Sequence, residues 1–292
     1  MRSSRLLPVF AAALTLSFGL APTPSAQAGK SQREAAERQA ESSLLIGGTI
    51  DIAADGKVVG YKLDNADKLP KAVLDMVARH APHWKFDPIA LPEGTHSRSP
   101  MSLLFVAKKR EDGNFALELR GASFEADVPE AERVSIARRG RMPAYPDDLA
   151  ARGINGTVYL SVRIGRDGKV MDIDASHVNL RTIGSESEMA NWREQFRLAS
   201  IKAVRGWSFK PPSAGAEVDA PYWTGTLPVA FTVMGYPEPK PGQWETYIPG
   251  PRKPIPWVDS LGMTAEHSDA LAPNRFHTPG QGRRLLTPLG EG

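Results

Sequence analysis

The chain has 292 residues, 41% of them hydrophobic and 24% charged, which is room for one or two ordinary globular domains. It contains no cysteine, which excludes disulfides, thiol nucleophiles, thiolate metal sites and lipid-bearing cysteines. Its formal charge of +3 falls to +1 without Arg2 and Arg5, so no nucleic-acid partner is expected on electrostatic grounds.

Residues 1–28 read as a secretory signal peptide. MRSSR is a positive start, Leu6–Ala21 is an apolar run interrupted by Pro8, and Ala26-Gln27-Ala28 is an A-x-A cleavage pattern. The run is short for a bilayer span, and no later segment is apolar enough to be one. The mature chain is expected to begin near Gly29, to lack a transmembrane span and to work in the periplasm. The alternative is an uncleaved membrane anchor.

Residues 31–121 form the first expected unit. Ser31 and Glu34 make a candidate capping box for a polar helix ending before Gly47-Gly48. In GGTIDIAADGKVVGYKL (47–63), alternation at Ile50 and Ile52 predicts a strand. Asp55-Gly56 predicts a hairpin turn, and Val58, Val59 and Tyr61 the return strand. Pro70 suits the first turn of a helix, with Val73, Met76, Val77 and His80 on one face. Trp84-x-Phe86-x-Pro88 ends that helix, a strand follows at 101–109, and FALELRG adds a further hairpin strand.

Residues 122–141 look like a charged linker, and 142–234 repeat the first pattern. Val158, Leu160, Val162 and Ile164 alternate, and Asp167-Gly168-Lys169 repeats the turn. Val170 and Ile173 return. Trp192, Phe196, Ala199, Ala203 and Trp207 recur at helical spacing. Trp207-x-Phe209-x-Pro211 ends the helix, and TGTLPVAFTV (224–233) is a closing strand whose Pro228 points to a sheet edge. Residues 235–292 are rich in Pro and Gly and read as an extended or disordered tail without a core. The expected fold class is α+β. It comprises two duplicated units, each a small antiparallel three-stranded sheet packed by one helix, with the paired aromatics sealing each core.

The second unit resembles the C-terminal domain of TonB energy transducers. The resemblance rests on Tyr145-Pro146 before a short helix, Gly153 and Gly156 leading into a strand, the Asp167-Gly168-Lys169-Val170 turn, and the helix ending in Trp207-x-Phe209-x-Pro211. It is fuller over 142–234 than over 47–108. It implies a non-catalytic module that captures an extended segment of an envelope protein, such as a TonB-dependent outer-membrane transporter, by adding it to a sheet edge. Tyr145, Pro146, Thr226, Leu227, Val229 and Phe231 are then the candidate partner-binding residues. The cleavable leader, and a Pro-rich stretch that follows the domain rather than preceding it, depart from a transducer. Whether the β-edge is free, or the two units close on each other, stays open.

Other candidate chemistry is sparse. His80 and His83 lie three apart but lack a third ligand of clear spacing, so neither metal nor cofactor is expected. Asp55 and Asp167 read as turn formers. No serine-hydrolase elbow, phosphate loop or zinc-protease motif occurs, so no catalytic residue is named. Arg138, Arg139 and Arg141 cluster before the second unit as a solvated linker or a contact for anionic envelope polymer, peptidoglycan included, or lipid headgroups. The alternative functions are a structural, cell-wall-associated envelope protein and, if the leader is retained, a membrane-anchored transducer.

Overall fold

Alternating apolar side chains build the first sheet. In the computed structural model, which describes residues 37, 40–110, 112–125, 128–236, 242–259, 269–278 and 282–290, β1 runs from Glu41 to Ala53. It points Leu44, Ile46, Ile50 and Ile52 to one side. β2 (Val58–Leu63), β3 (His96–Lys109) and β4 (Phe115–Phe124) join it, all antiparallel, in the order β2-β1-β3-β4. Helix α1 (Lys71–His80) lays Val73 and Val77 on that apolar face. Two expectations change here. Residues 41–46 continue the strand rather than a helix, because their alternation pairs with Leu103–Ala107 of β3. The further strand expected at FALELRG is present as β4 on the free side of β3, which takes the sheet past the three strands of the expected unit. The signal peptide and the Ser31–Glu34 box fall outside the described residues.

The expected linker is partly structured. β4 carries on to Phe124, and β5 (Ser135–Arg138) beyond it pairs with β8 (Ser208–Lys210). The intervening Val134 is buried in the second core. A short helix, α2 (Asp147–Ala151), follows Pro146. β6 (Gly156–Gly165), β7 (Val170–Leu180) and β9 (Tyr222–Phe231) form the second sheet, antiparallel and ordered β7-β6-β9. Helix α3 (Glu186–Val204) starts at Ser185, whose side chain accepts the Glu188 N–H while the Glu188 carboxylate reaches back to the Ser185 N–H. It buries Met189, Trp192, Phe196, Ser200 and Val204. The enclosed face therefore drifts one residue from the expected line through Ala199 and Ala203.

The two sheets repeat a set of contacts as well as an order of elements. Gly56 and Gly168 have φ of 84° and 74° in their turns. The Gly56 carbonyl accepts the Phe86 N–H at 2.8 Å, and the Gly168 carbonyl accepts the Phe209 N–H at 2.8 Å. A Cβ on Gly56 would lie 2.0 Å from the Phe86 carbonyl oxygen, and one on Gly168 2.2 Å from that of Phe209. The Asp55 and Asp167 carboxylates each accept the N–H two residues on, which fixes the turns. So the Asp-Gly turn and the Trp-x-Phe segment dock on each other in both places. Trp84, Phe86, Trp207 and Phe209 are all buried.

The tail departs most from expectation. Several of its described parts pack against the two sheets. β10 (Glu245–Tyr247) pairs with Glu41–Ser43 of β1, and Ile248 exchanges both backbone hydrogen bonds with Leu180 of β7. A helical turn, α4 (Pro256–Asp259), comes next. Ile248, Ile255, Ala270 and Leu271 are buried. Leu104 and Val106 of β3, whose side chains lie opposite its helix-covered face, pack on Tyr247 and Ala270. Further on, Leu285 bridges to Phe86, and the Arg283 N–H donates to the Phe124 carbonyl. The physical reason is apolar burial. Both sheets carry apolar or aromatic residues on their second faces, and the tail supplies what covers them. Among the described residues no helix is long and apolar enough to cross a membrane.

Candidate functional site

β9 is the outer strand of the second sheet, and pairing with β6 occupies one of its sides. On the other side Thr226 donates its N–H to the His277 carbonyl at 2.8 Å and accepts the His277 N–H at 2.9 Å. The Pro228 carbonyl accepts the Asn274 N–H at 2.7 Å. Proline has no N–H to offer there, so an edge is where it costs least. These three backbone bonds, among the described residues, make 274–277 a fragment of an added strand supplied by the chain itself.

The predicted partner-binding residues divide accordingly. Thr226 presents its backbone to the edge. Leu227, Val229 and Phe231 point into the second core and have no side-chain surface for a partner. The alternation that suggested them as contacts is the alternation of a buried face. Tyr145 is a brace. Its hydroxyl donates to the Ile154 carbonyl, and its ring stands edge-on to Phe196 and Phe231, with centroids at 5.7 and 5.5 Å. Burial pushes its phenol up to about 12. Pro146 caps α2. Asn155 ties the start of β6 to the end of β9, accepting the Val233 N–H at 2.8 Å. The arginines also separate. Arg139 donates to the Asn274 carbonyl at 2.8 Å and lies over the Trp207 ring at 5.8 Å, and the Arg141 carbonyl accepts the Trp207 indole N–H. Arg138 and the Arg141 residue are exposed.

A buried polar cluster that the sequence did not signal lies between the sheets. The Asp269 carboxylate meets His177 Nε2 at 2.5 Å, the Tyr247 hydroxyl at 2.5 Å and the Arg252 guanidinium at 3.1 Å. Tyr159 stacks on the His177 ring, centroids 4.4 Å apart, and Ser176 Oγ lies 2.9 Å from His177 Nδ1. Serine, histidine and aspartate in line suggest a nucleophile. Here, however, the imidazole is sandwiched between sheet and tail and shut off from solvent, and the serine hydroxyl also bonds the Tyr159 carbonyl at 3.2 Å. The arrangement fastens the tail to β7, and the partly exposed Ser176 beside it lines an open cavity of about 390 Å³ together with Arg193, Arg197 and Lys253. Arg193, donating to the Val178 and Pro249 carbonyls, and Lys253, 2.5 Å from Asp174, fasten it on the outside. Only Tyr247, Arg252 and Asp269 could have hinted at this, and they sit in a segment with no periodicity.

One buried histidine, His177, and one partly buried histidine, His277, set a pH dependence. Burial holds His177 below its ordinary value despite the pull of Asp269. Burial likewise lowers His277, against the Ala272 carbonyl and Glu125 and with the help of Arg275. A histidine depressed in the folded state binds fewer protons there than when unfolded, so its contribution is lost as pH falls below about 6.5. The Arg98 bond to Asp51 and the Lys253 and Arg197 bonds to Asp174 keep those carboxylates low, so they matter only below about 4. Urea unfolding midpoints should therefore drop between pH 7.5 and 5.5, above the range in which Asp51 and Asp174 titrate. Equal midpoints across that range would refute the assignment.

Among the described residues no group of three or more His, Asp or Glu side chains is placed to hold a metal, and His80 and His83 gain no third ligand. In comparisons with known proteins, no family model, no curated protein and no solved structure matches the chain.

Proposed function

We propose that the protein is a non-catalytic periplasmic binding module, built from two units like the C-terminal domain of TonB transducers, that recognises an extended segment of an envelope protein by strand addition on β9. The supporting observation is that this edge already takes an extended segment, residues 274–277, through main-chain hydrogen bonds. Main-chain bonding gives such an edge affinity for any extended chain, and side-chain pockets give it selectivity. Titrating the isotope-labelled mature chain with N-terminal peptides of TonB-dependent transporters tests the reading. Resonances of 222–231 should move saturably, and an unchanged spectrum at millimolar peptide would remove the partner.

A second reading has its own observation. Both outer strands of the second sheet are paired by the tail, β7 through Ile248 and β9 through His277. A sheet closed on both sides suits a structural, cell-wall-associated protein. Retention on isolated peptidoglycan that falls when Arg138 and Arg141 become Ser would favour it. The anchored-transducer alternative turns on the N-terminal residue of the mature protein, which N-terminal sequencing reads directly.

A further inference from the structure

The two sheets fill equivalent edges very differently. Ile52 pairs with Ser97 in the first sheet as Ile164 pairs with Trp223 in the second, which makes Pro100 the counterpart of Thr226. In the first sheet that edge receives β4, ten residues long. The Glu125 N–H donates to the Pro100 carbonyl at 2.9 Å, and Phe124 stands edge-on to Phe86 with centroids 4.9 Å apart. In the second sheet the His277 N–H donates to the Thr226 carbonyl at 2.9 Å, and Phe276 lies against Phe209 at 5.1 Å. Phe276-His277 thus stands where Phe124-Glu125 stands. It arrives as the end of a four-residue fragment rather than of a full strand.

Selectivity is also visible. A Cβ on Gly225 would lie 2.2 Å from Phe276 Cζ and 2.6 Å from Cε1, so the phenylalanine ring occupies the space this glycine leaves. Glycine inside a strand often marks such a close approach. Through the gap Phe276 packs on the second core. Beside it a cavity of about 130 Å³, lined in part by Phe124, Glu125, Phe276 and His277, leaves unfilled room. The fragment's other fastenings are peripheral: Arg139 to the Asn274 carbonyl, and Arg275 to Glu125 at 3.2 Å.

We infer that the β9 edge is a fourth-strand acceptor site specific for an extended peptide with an aromatic residue at the Gly225 notch, and that residues 274–277 are its displaceable resident ligand. This rests on the strand-addition reading above and adds both the recognition rule and the regulation of that edge. Three main-chain bonds, one ring and two arginine contacts hold the resident, whereas β4 is held along most of its length, so the fragment should open more readily than β4. Because the resident is tethered, a free peptide competes against a local concentration on the order of millimolar. The intact chain should therefore bind free peptide only at about millimolar concentration.

The test uses a fluorescent synthetic peptide of residues 271–278 and the whole mature chain. Phe276→Ala in the chain should raise affinity for the peptide at least tenfold over the unaltered chain. His277→Pro, which deletes the donor to Thr226 without touching the core, should do the same and serves if Phe276→Ala does not fold. Phe276→Ala in the peptide, or Gly225→Val added to the Phe276→Ala chain, should abolish the gain. Folded variants of both kinds that bind no better than the unaltered chain would overturn the inference, as would an alanine peptide that binds equally well. Transporter peptides that bind while the self-peptide fails would overturn it and leave the broader reading standing. A self-peptide that binds while transporter peptides fail would support it and remove the transporter.

Discussion

Replacing Asp269 with alanine should lower the free energy of unfolding by about 3–5 kcal/mol. The carboxylate is almost fully enclosed and is the shared partner of His177, Tyr247 and Arg252, which come from β7, from β10 and from the strap that follows it. Removing it leaves an imidazole, a phenol and a guanidinium in a site built around one negative charge. Breaking one side of a buried ionic cluster costs more than never having built it, because the His177 imidazole and the Tyr247 phenol cannot return to water, although the exposed Arg252 guanidinium can. Burial and the neighbouring carboxylate already hold the Tyr247 phenol far above its usual range, and burial with Asp269 does the same for Tyr159. Urea unfolding of the variant checks the figure. A loss under about 1 kcal/mol would show that the tail is held by its apolar residues alone.

Gly168→Ala should cost about 3 kcal/mol or more, and Gly94→Ala only about 1 kcal/mol. The two glycines share nearly the same backbone, φ 74° and 76°. Left-handed strain is therefore common to both substitutions. They differ in surroundings. Nothing lies within 4 Å of a Cβ on Gly94, whereas one on Gly168 meets the Phe209 carbonyl oxygen at 2.2 Å. The methyl would force the turn off the Trp207-x-Phe209 segment, break the Phe209 N–H bond to the Gly168 carbonyl and loosen two buried aromatics. Gly56→Ala should behave as Gly168→Ala does, since its Cβ would meet the Phe86 carbonyl oxygen at 2.0 Å. Calorimetric midpoints for the three variants give the comparison. Equal losses at 94 and 168 would mean that the docking of turn on aromatic segment contributes nothing.

The parts of this fold legible in the sequence are those whose signal is local. The alternation at Val158, Leu160, Val162 and Ile164 marks a strand because side chains of a pleated ribbon repeat every second residue. Asp-Gly marks a turn because glycine accepts positive φ, which Gly56 and Gly168 adopt. The recurrence of Trp-x-Phe after each helix points to a shared role, and both segments dock on their turn glycines. What the pattern misled about was the use of a buried face. Leu227, Val229 and Phe231 satisfy the second core, and apolar alternation alone does not tell a core face from a partner face.

The sequence by itself determined the α+β class, the turns, the long helix and the aromatic seals, because each depends on residues within a few positions of one another. The tertiary structure alone decided the rest. Phe276 entering beside Gly225, Ile248 pairing with Leu180, and Asp269 reaching His177, ninety-two residues away, are contacts between distant segments. A Pro-rich tail carries no period from which such contacts could be read. Its described segments pack where the second faces and open edges of the two sheets offer apolar surface and unpaired backbone to cover.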